Sequence, residues 1–137
     1  MAPLFHFATH VNDLEKAKEF YCGILGCSVG RETDKWIDFN FFGHQVSLHA
    51  GPQAAQAASG TDGERSVPMP HFGAILSLED WQILADKLVA AGTDFVIEPT
   101  IRFAGKPGEQ RTMFFRDPSG NAIEMKGFAS RDEIFAS

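Results

Sequence analysis

Three side chains from separate stretches of the chain have the donor types of a divalent-metal site. His6 and His71 each open a His-Phe pair, and Glu124 closely follows the turn-forming run at residues 117–121. Two imidazoles and one carboxylate form a recognised set for a first-row divalent ion that keeps open positions for a substrate. Each of these residues taken alone is more often an ordinary surface or strand-end residue than a metal ligand. The prediction of a metal site therefore depends on whether the fold places all three side chains on the same side of the sheet.

The elements around the two histidines repeat along the chain. Residues 6–15 and 71–80 share one pattern, an apolar run followed by a capping residue and a helix. An internal repeat of this kind indicates two related halves. The order β-α-β-β-β is predicted in each half, with strands near 4–11, 27–31, 36–41, 45–50, 71–76, 94–98, 112–116 and 122–126.

Capping residues mark both predicted helices. Asn12 and Asp13 offer side-chain oxygens at the start of the first helix, and Gly26 stands where a left-handed residue would end it. Ser77 is expected to cap the second helix, which Gly92 terminates. Between the halves, residues 51–69 are rich in Ala, Gly, Ser and Gln, which predicts a linker with at most one helical turn near 54–58.

Strand alternation decides which side chains share a face. In the first strand, Phe5, Phe7 and Val11 would pack under the helix, so His6, Ala8 and His10 would point into the concavity of a curved sheet. The same rule places two further groups in that concavity: Gln45, Ser47 and His49 from the first half, and His71, Gly73, Ile75, Ala122, Glu124 and Lys126 from the second. His6, His71 and Glu124 are therefore expected to converge on one metal ion.

Other polar residues have weaker claims to a functional role. His49 could move protons at the concave face, or it could be an uninvolved strand histidine. His44 falls in a predicted turn. Arg102, Lys106 and Arg111 could attract an anionic substrate, although such residues are more often ordinary surface charges.

Composition narrows the class of protein. The formal net charge of −6 over 137 residues argues against nucleic acid as a partner. We find no apolar stretch long enough to cross a membrane and no signal-peptide pattern. Cys22 and Cys27 are interpreted as free thiols, so a cytoplasmic protein is expected. The length suits one domain, divided as module one 1–50, linker 51–69, module two 70–128 and tail 129–137.

Several motifs resemble those of the vicinal oxygen chelate superfamily, which includes glyoxalase I, extradiol dioxygenases and bleomycin-binding proteins. The motifs are residues 6–26, Pro70-His71-Phe72-Gly73, and the run from Asp117 to Glu124. The resemblance implies an α+β fold of two βαβββ modules that form a cupped eight-stranded mixed sheet with helices on the outer face. It also implies that His6, His71 and Glu124 are the metal ligands.

Within the superfamily, the chain is most similar to small predicted extradiol-type dioxygenases. Glyoxalase I carries a second metal-bound glutamate where the alignment of the two halves puts Ser47, and serine cannot replace it. The resemblance to extradiol enzymes implies Fe(II), with Mn, Ni, Zn or Co as alternatives, and a histidine acid/base that is either His44 or His49. One departure is Phe114, because catechol-cleaving members have tyrosine there and phenylalanine cannot donate a hydrogen bond.

Three functions remain open from the sequence. The first is an extradiol-type dioxygenase acting on a small substrate that chelates the metal through adjacent oxygens. The second is a glyoxalase-like lyase or isomerase, and the third is a non-catalytic small-molecule binding module. The resemblance further implies a homodimer, without nucleic acid or membrane as a partner.

Overall fold

The structure, a computed structural model, describes residues 1–61 and 66–137. The chain divides into two compact units. The first contains residues 1–57 and 117–121, and the second contains residues 58–116 and 122–137. The single-domain interpretation of the sequence stays a prediction.

The first unit has the predicted β-α-β-β-β order. Its elements are β1 (His6–Val11), α1 (Leu14–Gly23), β2 (Ser28–Glu32), β3 (Trp36–Phe41) and β4 (His44–Ala50). The sheet order is β1-β4-β3-β2, with β1 parallel to β4. Asp13 caps α1 as expected, because its carboxylate accepts a 3.0 Å hydrogen bond from the Lys16 N–H.

Helix α1 covers one face of the first sheet. Ala17 and Tyr21 are its buried residues. They belong to a core that also contains, from the strands, Val11, Ile37, Phe39, Phe41, Val46 and Leu48. Because neighbours along a strand alternate, the opposite face carries His6, Ala8 and His10 from β1, together with Gln45, Ser47 and His49 from β4. We call this the helix-free face of the first sheet.

The second unit repeats this architecture. After β5 (Ala57–Thr61) and β6 (Ser66–Met69), it contains β7 (His71–Ser77), α2 (Leu78–Ala90), β8 (Ile97–Arg102), β9 (Gln110–Arg116), β10 (Ala122–Phe128) and a 3-10 turn (Arg131–Glu133). The sheet order β7-β10-β9-β8 matches that of the first unit, with β7 parallel to β10. Ser77 caps α2 through a 3.1 Å hydrogen bond from the Asp80 N–H. The predicted repeat is therefore confirmed.

Helix α2 is anchored to the strand that carries Glu124. The Trp81 indole N–H donates a 2.9 Å hydrogen bond to the Met125 carbonyl. A side chain at Gly127 would crowd the same indole, so this approach requires glycine. These contacts place Met125 and Gly127 on the side of the sheet that faces α2. Because neighbours along a strand alternate, Glu124 faces away from α2.

Two local predictions are wrong. The helical turn predicted near residues 54–58 does not form, and residues 57–61 and 66–69, within the predicted linker, form a two-stranded sheet. An isolated turn of a few residues cannot nucleate a stable helix, so strand pairing wins. The strand predicted at 94–98 lies at Ile97–Arg102, because Pro99 is tolerated in an edge strand at a register shift between Ile97 and Thr100.

No helix in the described parts of the chain has the length and apolar character needed to cross a membrane.

Candidate metal centre

Strands β7 and β10 bring two of the predicted ligands together. In their parallel pairing, His71 is the partner of Ala122 and Gly73 is the partner of Glu124. Partners in a parallel pair share a face, and residues two apart on one strand do so as well. His71 and Glu124 therefore both lie on the face opposite α2, which we call the helix-free face of the second sheet.

The two side chains are in direct contact. His71 Nε2 lies 3.3 Å from Glu124 Oε1. His71 Nδ1 is 2.8 Å from the Pro68 carbonyl oxygen. Because a carbonyl oxygen can only accept, Nδ1 carries a proton and donates it. A metal-ligating histidine is typically oriented in this way, with the second ring nitrogen turned to the ion.

The other carboxylate oxygen of Glu124 has its own partner. The Thr112 hydroxyl donates a 2.5 Å hydrogen bond to Oε2, and both residues are buried. The carboxylate is thus fixed by one oxygen and presents the other to His71. Among the described residues, no buried side-chain polar atom lacks a hydrogen-bond partner.

The spacing of the pair suits a shared ion. Two ligand atoms each about 2.1 Å from one metal lie about 3.0 Å apart in octahedral and about 3.4 Å apart in tetrahedral coordination. The observed 3.3 Å separation falls in this range. An imidazole nitrogen and a carboxylate oxygen in such contact need a cation or a proton between them. The donor set of the second unit therefore fits a divalent ion.

Two neighbours hold the pair in place. The position that a side chain at Gly73 would occupy overlaps the backbone carbonyl of Glu124, so only glycine allows β7 and β10 to approach here. The Phe114 ring contacts the His71 ring edge-on, with centroids 4.9 Å apart. Phe114 thus supports the orientation of His71.

His6 lies in the first unit and has the same hydrogen-bond arrangement as His71. Its Nδ1 is 2.8 Å from Gln45 Oε1, which accepts the proton and leaves Nε2 for another partner. His6 is exposed on the helix-free face of the first sheet. Within either unit alone, the described residues include no group of three His, Cys, Asp or Glu side chains able to hold an ion. The role of His6 as third ligand therefore remains a prediction.

Ser47 occupies the position in the first unit that Glu124 has in the second. It pairs with Ala8, two residues after His6, just as Glu124 pairs with Gly73, two residues after His71. The Ser47 hydroxyl donates a 2.5 Å hydrogen bond to Asp38 Oδ1. The first unit thus offers no carboxylate in register with Glu124 on β4.

The two candidates for the acid/base histidine have different surroundings. His44 lies two residues before Val46 on β4, so both side chains are on the helix side of the sheet. His44 Nδ1 accepts a 2.9 Å hydrogen bond from the Phe5 N–H. His49 is exposed on the helix-free face, with its ring centroid 6.3 Å from that of Trp36. Of these two histidines, only His49 lies on the same sheet face as His6.

Two of the basic residues suggested by the sequence lie on β8 and β9. Arg111 pairs with Gly127, which packs against Trp81 of α2, so Arg111 lies on the helix side of its sheet. A role of Arg111 in attracting a substrate stays a prediction. Arg102 stands over the Phe103 ring at 5.1 Å. Lys126 lies on the face that strand alternation predicts, and the sequence pattern assigns no role to Lys126 or Thr112.

A cavity of about 450 Å³ lies along β8, lined by Ser66 and residues 96–100. Strand β9 separates β8 from β10, so this cavity does not include the His71–Glu124 pair.

The chain is similar to proteins of known structure over nearly its whole length. A glyoxalase/bleomycin resistance protein/dioxygenase from Alicyclobacillus acidocaldarius is 28% identical, with a TM-score of 0.75 and coverage of 97% of this chain and 96% of that one. The fosfomycin resistance protein FosX from Listeria monocytogenes is 17% identical, with a TM-score of 0.69 and coverage of 98% and 99%. A lactoylglutathione lyase from Agrobacterium tumefaciens is 16% identical, with a TM-score of 0.67 and coverage of 94% and 96%.

At the identities of the latter two proteins, the likeness concerns the fold alone. The sequence model of the Glyoxalase/Bleomycin resistance protein/Dioxygenase superfamily matches residues 4–125. This range includes the first sheet, the second sheet except the last three residues of β10, and all three predicted ligands. The chain therefore belongs to the Glyoxalase/Bleomycin resistance protein/Dioxygenase superfamily, the vicinal oxygen chelate group that its motifs resemble.

Proposed function

We propose that the protein is a metal-dependent enzyme of the extradiol dioxygenase type. Its substrate would be a small molecule that chelates the ion through two neighbouring oxygens. The observation that carries this proposal is the 3.3 Å approach of His71 Nε2 to Glu124 Oε1, with the remaining polar atoms of both side chains committed to Pro68 and Thr112. His6 is the proposed third ligand, and Fe(II) is the expected ion.

The donor set favours this chemistry over that of a lyase. A glyoxalase-type isomerisation needs a second carboxylate that moves protons near the metal. Ser47 lies at the position on β4 that corresponds to Glu124 on β10, and its hydroxyl donates a hydrogen bond to Asp38. Two histidines and one carboxylate are, by contrast, the set that non-haem Fe(II) oxygenases use.

The residues of the proposed site would have different roles. A divalent ion held by His6, His71 and Glu124 would polarise the substrate oxygens, and Fe(II) would also supply the redox chemistry that dioxygen needs. Thr112 and Pro68 keep the ligands oriented. His49, as a neutral imidazole, would accept the proton of a substrate hydroxyl at a ring nitrogen and later return it.

The test is anaerobic loading with Fe(II), followed by oxygen-uptake measurements with a panel of catechols. We expect uptake with at least one catechol, and a loss of about 100-fold in kcat for His49→Gln with unchanged metal content. His44→Gln is the matched variant and should retain kcat. Absence of uptake across the panel by iron-loaded protein would exclude the dioxygenase.

The same preparation distinguishes the alternatives. Turnover without oxygen by protein loaded with Mn, Ni, Zn or Co would favour a lyase or isomerase. Purified protein with a tight apolar ligand and no metal would favour a binding module. We also propose a homodimer, which sedimentation equilibrium would test.

A further inference from the structure

Lys126 lies on the same sheet face as the His71–Glu124 pair. It follows Glu124 by two residues on β10, so both side chains leave the strand on the helix-free face. Its partner across β9 is Thr112, and its partner on β7 is Ile75. Lys126 is half-buried, and Ile75 beside it is 49% exposed.

The ammonium of Lys126 has no ion pair or hydrogen bond among the described residues. Glu124 is the nearest carboxylate along the strand, about 7 Å away between Cα atoms. The two side chains form no ion pair, and the Glu124 oxygens contact Thr112 and His71 instead. A half-buried lysine packs its apolar stem on the sheet and keeps its ammonium in reach of solvent, so the unpaired charge of Lys126 is available to an anionic ligand.

The surroundings of Lys126 indicate what would pair with it. The exposed Ile75 side chain offers an apolar contact next to the cation. The two-residue step from Glu124 to Lys126 is a distance that one aromatic ring bridges. We infer that Lys126 binds a carboxylate on the substrate while the chelating oxygens of that substrate meet the His71–Glu124 pair. The substrate is thus a carboxylated aromatic diol, an inference that rests on the proposed function.

The experiment compares ligands that differ only in the carboxylate. Isothermal titration calorimetry under anaerobic conditions would measure the affinity of Fe(II)-loaded protein for catechol, 2,3-dihydroxybenzoate and 3,4-dihydroxybenzoate. We expect one of the two acids to bind about tenfold more tightly than catechol, the effect of one charge-assisted hydrogen bond. The metal content of each sample is measured alongside.

Three variants assign any preference to Lys126. Lys126→Met keeps the apolar stem and should abolish the preference for the acid, whereas Lys126→Arg should retain it. Lys87→Met removes a charge from the exposed surface of α2 and should leave the preference unchanged.

The outcomes separate the two proposals. Equal binding of catechol and both acids, or a preference that survives Lys126→Met, would overturn the role of Lys126 and leave the metal site intact. Protein that holds no iron, or that holds iron and binds none of the three compounds, would contradict the proposed function, and the inference about Lys126 would fail with it.

Discussion

The Thr112 hydroxyl and the Glu124 carboxylate form a buried hydrogen bond of 2.5 Å between neighbouring strands. This bond occupies Oε2 of Glu124, so only Oε1 is directed at His71. A carboxylate that could rotate freely would bind a metal less well, since the ligand would lose conformational freedom on binding. Thr112 is therefore a positioning residue for the candidate metal centre.

Replacement of Thr112 by valine should weaken metal binding. Thr112→Val keeps the volume of the side chain and removes the donor to Glu124. We expect a 10- to 100-fold lower affinity for Co(II), of the order seen when partners of metal ligands are lost. Titration of the apoprotein, followed by the visible absorption of the bound ion, measures the change. Thr112→Ser retains the hydroxyl and should restore affinity, whereas equal affinity of the valine variant would show that Thr112 has no such role.

Gly73→Ala should destabilise the second unit. The added methyl group would overlap the Glu124 carbonyl, so β7 and β10 would have to separate. We expect a loss of about 1–3 kcal/mol in the free energy of unfolding, measured with urea. Gly23→Ala is the matched control, because a methyl group there meets no atom within 4 Å. A Gly73→Ala protein as stable as Gly23→Ala would contradict the packing described for these strands.

Tyr21 and Asp117 link α1 to the turn at residues 117–121. The Tyr21 hydroxyl donates a 2.8 Å hydrogen bond to Asp117 Oδ2, and both residues are buried. Tyr21→Phe should lower the free energy of unfolding by about 1.5–3 kcal/mol, because a hydrogen bond to a buried charged group is lost. Lys18→Met removes the exposed ion pair with Glu32 and should have a negligible effect. Equal unfolding midpoints for the two variants would argue against a stabilising role for the Tyr21 hydroxyl.

The stability of the protein should fall at alkaline pH. Burial, and then the neighbouring Cys22, raise the pKa of the Cys27 thiol from 9.0 to about 12. Burial and Asp117 also raise the pKa of Tyr21 well above 10.0. Both groups lose their protons more readily in the unfolded chain, so the unfolded state binds fewer protons above pH 9 and stability decreases there.

Urea unfolding at pH 7, 9 and 10.5 would measure this decrease. Cys27 and Tyr21 should not change the free energy of unfolding at pH 7 or below. We expect that free energy to decline above pH 9. Cys27→Ala should make the decline shallower. An identical pH dependence for the wild type and Cys27→Ala would show that the thiol does not contribute.

The alternation of side chains along each strand correctly predicts which residues share a sheet face. Alternation places His71 and Glu124 on one face, and the structure agrees because Phe72 and Met125 must lie under α2. The role of Thr112 depends instead on the register between β9 and β10, which no local pattern specifies. Alternation also places Lys126 on the correct face, but its lack of a partner among the described residues depends on contacts between strands. The position of β8 differs from the sequence prediction for a related reason. Pro99 predicts the end of a strand when only the local sequence is considered, but an edge strand accommodates it.

The metal content of the purified protein tests the central claim most directly. Elemental analysis would compare wild type, His71→Ala, Glu124→Ala and His10→Asn, all prepared without chelator and reloaded with the same divalent ion. His10→Asn is the matched control, because His10 is exposed on the helix-free face of the first sheet and is not a proposed ligand. We predict about one ion per chain in the wild type and in His10→Asn, and little or none in His71→Ala and Glu124→Ala. Unchanged metal content in His71→Ala and Glu124→Ala would contradict the account.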